Sequence, residues 1–177
     1  MSTAKGTGLL EALRPTDIET HLVMTRAAAR TLAYETDLTV EAVRALADTV
    51  WPVGDIGAPI ASGSYRTMGM VVAPCSVRSM STIAAGTTDT LLTRAADVVL
   101  KERRPLVLLV RETPLHAGHL ETMKRLAELG AVVMPPVPAF YTRPQTIADI
   151  VDHTVGRALD PFGIDVGLAT RWEGTAD

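Results

Sequence analysis

The sequence predicts a doubly wound α/β fold, in which helices cover both faces of a parallel sheet, and two observations predict it. Residues 68–74, 106–110 and 131–134 form short apolar runs without polar alternation, as expected of strands buried on both faces. Helical segments alternate with these runs, and such alternation is typical of doubly wound sheets. The 177 residues fit a single domain, 1–177, with residues 1–7 expected to be disordered.

Local signals predict the other elements in chain order. Residues 18–24 alternate between apolar and polar and predict the first strand. The alanine-rich segment 26–34 predicts a helix, and Thr39 is placed as the N-cap of a helix over 40–48. The remaining helices are predicted to begin at Ser76, to span 90–103, to follow His116 and end at Gly130, and to span 146–159.

Composition argues against several classes of protein. The net charge of −3 argues against a surface for nucleic acid or anionic membrane, which requires a basic excess. The sequence has neither the apolar segment of a secretory signal nor an apolar run near the ~20 residues of a membrane span. The single cysteine, Cys75, excludes an intrachain disulfide and predicts a cytoplasmic location.

Polar residues that follow the apolar strands are the first candidates for a site, because ligands of doubly wound sheets bind beyond the carboxyl ends of the strands. Ser76 and Ser79 follow one strand and predict an anion or ribityl site; an ordinary serine N-cap is the alternative. Arg111 and Glu112 follow the next strand and can bind an anion and transfer a proton. Their alternative is a surface ion pair.

Other candidate site residues are far apart in the sequence and can form a site only if the fold brings them together. Lys101, Tyr141 and Arg157 are donors for a phosphate, although Lys101 also fits a solvated helix end. His116 and His119 have the spacing of a metal pair, but no third ligand accompanies them, and polar helix residues are the alternative. No glycine-rich phosphate loop or paired aspartates for magnesium occur, so a phosphate site here relies on Arg, Lys and Tyr rather than on metal.

Several long motifs, in the same order, closely resemble the UbiX-type flavin prenyltransferases. The resemblance extends from about Gly6 to Trp172. The motifs that carry it are residues 57–64 (GAPIASGS), 73–76 (APCS), 91–105 (LLTRAADVVLKERRP), 110–116 (VRETPLH) and 135–141 (PPVPAFY).

This resemblance implies a flavodoxin-like, Rossmann-like fold and a dodecamer with sites between subunits. It implies transfer of dimethylallyl from dimethylallyl monophosphate to N5 and C6 of reduced FMN, without a metal. The product, prenylated FMN, serves UbiD-type decarboxylases. A non-catalytic flavin-binding or assembly subunit of an aromatic-acid decarboxylase system is the alternative, and direct decarboxylation is the least favoured interpretation.

The resemblance also implies roles for individual residues. The expected FMN contacts are Thr25, Ser76, Val77, Arg78, Ser79, Arg94 and Arg111. The expected contacts of the prenyl phosphate substrate are Lys101, Arg111, Tyr141, Arg157 and the aromatic Trp172. Glu35 and Glu112 fall on the acidic residues of the family's site and are expected to be catalytic.

The beginning of the chain departs from the family pattern. Family members start with an apolar strand and a Gly-Ala-Ser-Gly turn, whereas residues 5–10 (KGTGLL) already match the helix that follows that turn. We therefore expect the first strand to be missing, with an exposed edge or gap in the sheet. We also expect weak FMN binding, and an oligomer that covers the exposed edge.

Overall fold

The computed structural model describes residues 2–172 and 174, with side chains described from residue 4 onward. Three short 3-10 turns accompany the helices and strands. The helices are α1 (Ser2–Leu13), α2 (Arg26–Glu35), α3 (Val40–Arg44), α4 (Val77–Ala84), α5 (Leu91–Lys101), α6 (Ala117–Glu128) and α7 (Ile147–Leu159). The strands are β1 (His21–Val23), β2 (Thr49–Trp51), β3 (Met70–Cys75), β4 (Leu106–Val110) and β5 (Val132–Val133).

All strand pairs are parallel, so the predicted doubly wound α/β fold is confirmed. In the described part of the chain the strands form two sheets, β1–β2 and β3–β4–β5, and β1 and β3 are not paired with each other. A strand between them would give the order 3-2-1-4-5-6 of the dinucleotide-binding fold. The expected gap in the sheet therefore lies between β1 and β3.

Helices cover both faces of the three-stranded sheet, and β4 is buried along its whole length. On one face Leu108 packs with Met80 of α4 and Leu126 of α6, while on the other Leu109 packs with Val155 of α7. Two separate apolar clusters thus hold β4 from opposite sides, as its uninterrupted LVLLV sequence requires. Among the described residues, no helix has the length and apolar content needed to cross a membrane.

Residues 2–7 differ from the prediction of disorder over residues 1–7, because helix α1 begins at Ser2; residue 1 lies outside the described residues. Small residues let this helix approach its neighbours closely. A Cβ atom on Gly6 would lie 2.7 Å from the carbonyl oxygen of Ala73, and one on Gly8 would lie 3.2 Å from Val155. Leu9 is buried in the cluster that also contains Val155, so tertiary packing supports this helix.

Most predicted boundaries agree with the structure to within a few residues. The side chain of Thr39 caps α3 as predicted, although the helix ends at Arg44 rather than at residue 48. Gly130 lies just beyond the end of α6 with φ +98°, a conformation that favours glycine. Strand β2 was not predicted, because its three residues are too few to display a periodic pattern.

Candidate functional site

A cavity of about 600 Å³ lies between the two sheets, and we call it the β1–β3 cleft. Its lining includes residues 17–23, around β1, and residues 65–76, around β3. At the carboxyl ends of these strands the lining includes Thr25, Ser76, Ser79 and Arg111. Four of the residues predicted to contact FMN therefore share one edge of the sheet.

Two helix N-termini meet at this carboxyl edge. Thr25 caps α2, and its hydroxyl accepts a hydrogen bond from the backbone N–H of Ala28 at 3.0 Å. Ser76 caps α4 in the same way, accepting from the N–H of Ser79 at 3.2 Å. The N-cap role of Ser76 is thus confirmed, and it is compatible with a ligand role because helix N-termini attract anions. Val77 and Arg78 form the first turn of α4.

Arg111 and Glu112 are placed by the end of β4. The backbone N–H of Arg111 donates to the carbonyl of Cys75 at 3.1 Å, which ties it to the end of β3. The Arg111 side chain is exposed and lines the cleft. The Glu112 carboxylate accepts from the backbone N–H of Thr113 at 3.1 Å, so it is turned toward its own backbone.

Sequence reasoning missed Lys5, which lies in α1 near two predicted site residues. Burial lowers the pKa of Lys5 from its ordinary value, the Glu35 carboxylate acts in the opposite direction, and the Arg111 guanidinium lowers this pKa further. Lys5 is therefore within electrostatic range of both the catalytic candidate Glu35 and the anion-binding candidate Arg111. The signal available in the sequence was the rarity of lysine, since the chain has only three, Lys5, Lys101 and Lys124.

Arg94 lies in the first turns of α5 and contacts the 58–62 segment. Its Nε donates to the carbonyl of Ala61 at 3.2 Å, and its terminal nitrogen lies 3.3 Å from the Asp97 carboxylate. The N–H of Leu91 donates to the carbonyl of Val53 at 2.8 Å, which fixes the start of α5 beyond the carboxyl end of β2. The contacts with Ala61 and Asp97 orient the Arg94 side chain, and both partners belong to the same copy of the chain.

Two predicted phosphate contacts, Lys101 and Arg157, lie at the opposite, amino edge of the sheet. Lys101 ends α5, shortly before β4 begins, and its ammonium contacts the Glu102 carboxylate. Arg157 lies near the end of α7, and the following turn brings Phe162 against Gly69, just before β3. A five-residue strand such as β4 spans roughly 16 Å, so these cations do not meet Arg111 within one chain.

Arg157 already has a partner. Its guanidinium lies 2.5 Å from one oxygen of the Asp160 carboxylate, and Arg171 donates to both oxygens of the same carboxylate, at 2.9 Å and 2.7 Å. This double ion pair connects the end of α7 to the chain that follows it. The Arg157 side chain is nevertheless half exposed, which leaves part of its donor fork accessible.

Tyr141 and Trp172 come together in the structure. Their ring centroids are 6.0 Å apart in an edge-to-face arrangement, and Tyr141 contacts His153 of α7 in the same way at 6.1 Å. Both Tyr141 and Trp172 are mostly exposed, at 57% and 66%. Two members of the predicted substrate set thus form one exposed aromatic cluster.

His116 and Cys75 have local structural roles. The His116 ring caps α6 by accepting from the N–H of Gly118 at 3.1 Å, and it stacks on His119 with 3.6 Å between ring centroids. Cys75 is fully buried, and burial raises the pKa of its thiol to about 12. The interpretation of Cys75 as a small buried hydrophobe is confirmed.

Comparison with known proteins gives a consistent result. The Flavoprotein family model matches residues 1–159. The chain is 59% identical over 172 residues to flavin prenyltransferase UbiX of Escherichia coli K12, covering 96% of this chain and 91% of the relative. It is 57% identical over 172 residues to the Neisseria meningitidis protein of the same name, covering 97% and 91%.

Solved structures give the same picture. A crystal structure of AnUbiX (PadA1) with FMN and dimethylallyl pyrophosphate matches with a TM-score of 0.96 and 49% identity, covering 98% of this chain and 93% of the other. A dodecameric FMN-dependent UbiX-like decarboxylase from Escherichia coli O157:H7 matches with a TM-score of 0.95 and 49% identity, covering 98% and 94%.

Proposed function

The chain belongs to the UbiX-type flavin prenyltransferases, and from this membership we propose that it transfers dimethylallyl from dimethylallyl monophosphate to reduced FMN. The observation that carries the proposal is the carboxyl edge of the β1–β3 cleft. There, two helix N-termini capped by Thr25 and Ser76 lie beside the cation of Arg111. This combination suits the phosphate and hydroxyl groups of a flavin mononucleotide.

The residues at this edge fit FMN in their chemistry. Ser76 and Ser79 provide hydroxyl groups beside the first backbone amides of α4. Thr25 provides a hydroxyl group beside the first backbone amides of α2, and Arg111 provides an exposed guanidinium. We assign these groups to FMN, together with Arg94 and the first turn of α4, which contains Val77 and Arg78. Bound reduced FMN supplies the nucleophilic N5 and C6 positions.

The prenyl phosphate requires more than one copy of the chain. Lys101 and Arg157 lie at the amino edge of the sheet, about one strand length from Arg111. We propose that neighbouring copies bring Lys101, Arg157 and the Tyr141–Trp172 cluster to the carboxyl edge, in a homo-oligomer like the dodecameric relative. Cations around the leaving phosphate stabilise the charge that develops as its bond to the allyl group breaks.

Proton transfer is assigned to the two carboxylates. Glu35 lies close enough to Lys5 for their charges to interact, and Glu112 directly follows the anion-binding Arg111. A carboxylate at this position accepts the proton that is lost when the new ring closes. The β1–β3 cleft has largely apolar walls, and an allylic cation needs surroundings from which water is excluded.

The product would be prenylated FMN, delivered to a UbiD-type decarboxylase in the cytoplasm. A non-catalytic flavin-binding subunit of an aromatic-acid decarboxylase system is the second candidate. It is favoured by the division of the sheet, because the unpaired edges of β1 and β3 leave the flavin side of the site open. The two candidates share the flavin site and differ only in turnover.

Anaerobic incubation of the purified chain with reduced FMN and dimethylallyl monophosphate tests the proposal, with mass spectrometry of the flavin as the readout. Prenylated FMN supports the enzyme, and oxidised FMN serves as the control that should give no product. FMN binding without product supports the second candidate. Failure to bind FMN, measured by flavin fluorescence, would exclude both.

A further inference from the structure

We propose that Asp160 is a positioning residue for prenyl transfer, because its carboxylate holds the Arg157 guanidinium in the orientation that binds the prenyl phosphate. This role rests on the proposed function, in which Arg157 is assigned to the phosphate. It adds a residue to which the resemblance gives no role. Asp160 acts through Arg157 and does not itself touch the substrate.

The first argument is the direct contact between the two side chains. Arg157 lies in the last turn of α7 and Asp160 follows three residues later, a spacing that places both on one face. Nη1 of Arg157 donates to the Asp160 carboxylate at 2.5 Å. The Arg157 side chain is half exposed, so this charge-assisted bond restricts a side chain that would otherwise sample many rotamers.

The second argument is that Asp160 is anchored to the body of the protein. It begins the 3-10 turn Asp160–Phe162, and its carbonyl accepts from the N–H of Gly163 at 2.9 Å. Leu159, which precedes it, is buried in the core, and Phe162 lies against Gly69. A carboxylate on this anchored turn provides a fixed reference point for the more exposed guanidinium.

The third argument is the set of donors that the contact leaves available. Asp160 binds Nη1 of Arg157, and among the residues that the structure describes the Nε and Nη2 groups have no hydrogen-bond partner. These two groups form one edge of the guanidinium, and such an edge binds two oxygens of a phosphate at once. Asp160 therefore fixes one side of the fork and leaves the phosphate-binding side accessible.

An ordinary surface ion pair explains this contact less well. Arg171 already donates to both oxygens of the Asp160 carboxylate, at 2.9 Å and 2.7 Å, so Asp160 has a bidentate partner without Arg157. The dependence is therefore one-sided. The Asp160 carboxylate is neutralised by Arg171, whereas the orientation of the Arg157 guanidinium depends on Asp160.

Two substitutions of Asp160 separate orientation from charge. Asp160→Asn and Asp160→Ala both remove the negative charge, but Asn keeps an oxygen in the place of Oδ2, which accepts from both Arg157 and Arg171. Ordering a flexible side chain on binding lowers affinity roughly twofold to tenfold. Dimethylallyl monophosphate should therefore bind Asp160→Ala more weakly than Asp160→Asn by that factor. Isothermal titration calorimetry of the full chain with oxidised FMN, which prevents turnover, measures both affinities.

Further variants test whether Asp160 acts through Arg157. When Arg157→Ala is combined with each substitution of Asp160, the two double variants should bind dimethylallyl monophosphate equally. Asp165→Asn and Asp165→Ala are the matched control pair, because Asp165 lies 3.5 Å from Arg171 and, within the described part of the chain, has no ion pair with Arg157. These two control variants should also bind it equally. FMN affinity should be the same in all the variants.

Three outcomes would overturn the role of Asp160. The first is equal affinity of Asp160→Asn and Asp160→Ala for the prenyl phosphate, and the second is a difference that persists without Arg157. The third is a parallel loss of FMN affinity in Asp160→Ala, which would indicate a general structural role. Prenylated FMN formed by the unchanged chain tests the proposed function separately. If that product forms and any of the three outcomes is found, only the role of Asp160 fails.

Discussion

The three-stranded and two-stranded halves of the sheet differ in how they are held. β4 is buried along its whole length between two apolar clusters, whereas the residues of β1 are all only partly buried and face the β1–β3 cleft. Each half nevertheless contributes one helix N-terminus to the candidate flavin site, through Ser76 and Thr25 respectively. The site therefore joins a rigidly packed half to a loosely packed one.

The largest expected effect compares leucines in the two halves. Leu108→Ala in β4 should lower the free energy of unfolding by about 2–5 kcal/mol, because Leu108 is fully buried and its truncation leaves a cavity. Leu22→Ala in β1 should cost less than half as much, because Leu22 is only partly buried. Urea unfolding of both variants measures the difference, and equal losses would mean that the two halves are equally well packed.

The second prediction concerns the amino edge of the three-stranded half. Arg157→Ala should weaken dimethylallyl monophosphate binding roughly tenfold to a hundredfold, as expected for a charge-assisted hydrogen bond of about 1.5–3 kcal/mol. FMN affinity should change little. Arg171→Ala is the matched control, because Arg171 binds the same Asp160 carboxylate but is not assigned to the substrate. Isothermal titration calorimetry with each ligand measures the two affinities. Equal losses of affinity for both ligands would indicate that Arg157 has a structural role.

The third prediction uses the buried thiol of Cys75 in β3. Its pKa is raised from 9.0 to about 12, so between these values the folded chain binds more protons than the unfolded chain. Stability should therefore fall as the pH rises above about 9, by at most about 1.4 kcal/mol per pH unit. Cys75→Ala should remove this part of the pH dependence. Urea unfolding from pH 8 to 10 is the measurement, and an unchanged slope in the variant would contradict it.

The smallest expected effect compares the two caps of the flavin site. Thr25→Ala and Ser76→Ala should each lower stability by about 1 kcal/mol, since each removes one hydrogen bond to a helix N-terminus. Both variants should also bind FMN more weakly than the unchanged chain. A loss of FMN affinity for Ser76→Ala alone, in a fluorescence titration, would show that only the three-stranded half holds the flavin.

The two halves also differ in how well the sequence predicts them. The uninterrupted apolar run of β4 predicts its bounds without error, because burial on both faces leaves an unambiguous pattern. β2 has three residues and no detectable period, so it was missed. β1 is shorter than the predicted 18–24, because pairing with β2 extends over only three positions.

The candidate site was predictable where residues directly follow a strand. Ser76 and Arg111 were found from the ends of β3 and β4, since parallel strands end at a common edge. Lys5 was missed because its neighbours Glu35 and Arg111 are distant in sequence. The position of Lys101 at the opposite edge follows from its place just before β4, since parallel strands also begin at a common edge, but the resemblance alone groups it with Arg111 without regard to this distance.

The Asp160 carboxylate, held by Arg157 and Arg171, has a consequence for ligand selectivity. An anion that binds the accessible part of the Arg157 guanidinium competes with the Asp160 carboxylate for the same positive charge. This competition favours ligands of higher charge, since Coulomb attraction grows with charge. A dianionic phosphate monoester would then outcompete monoanionic carboxylic acids, including the cell's abundant metabolites.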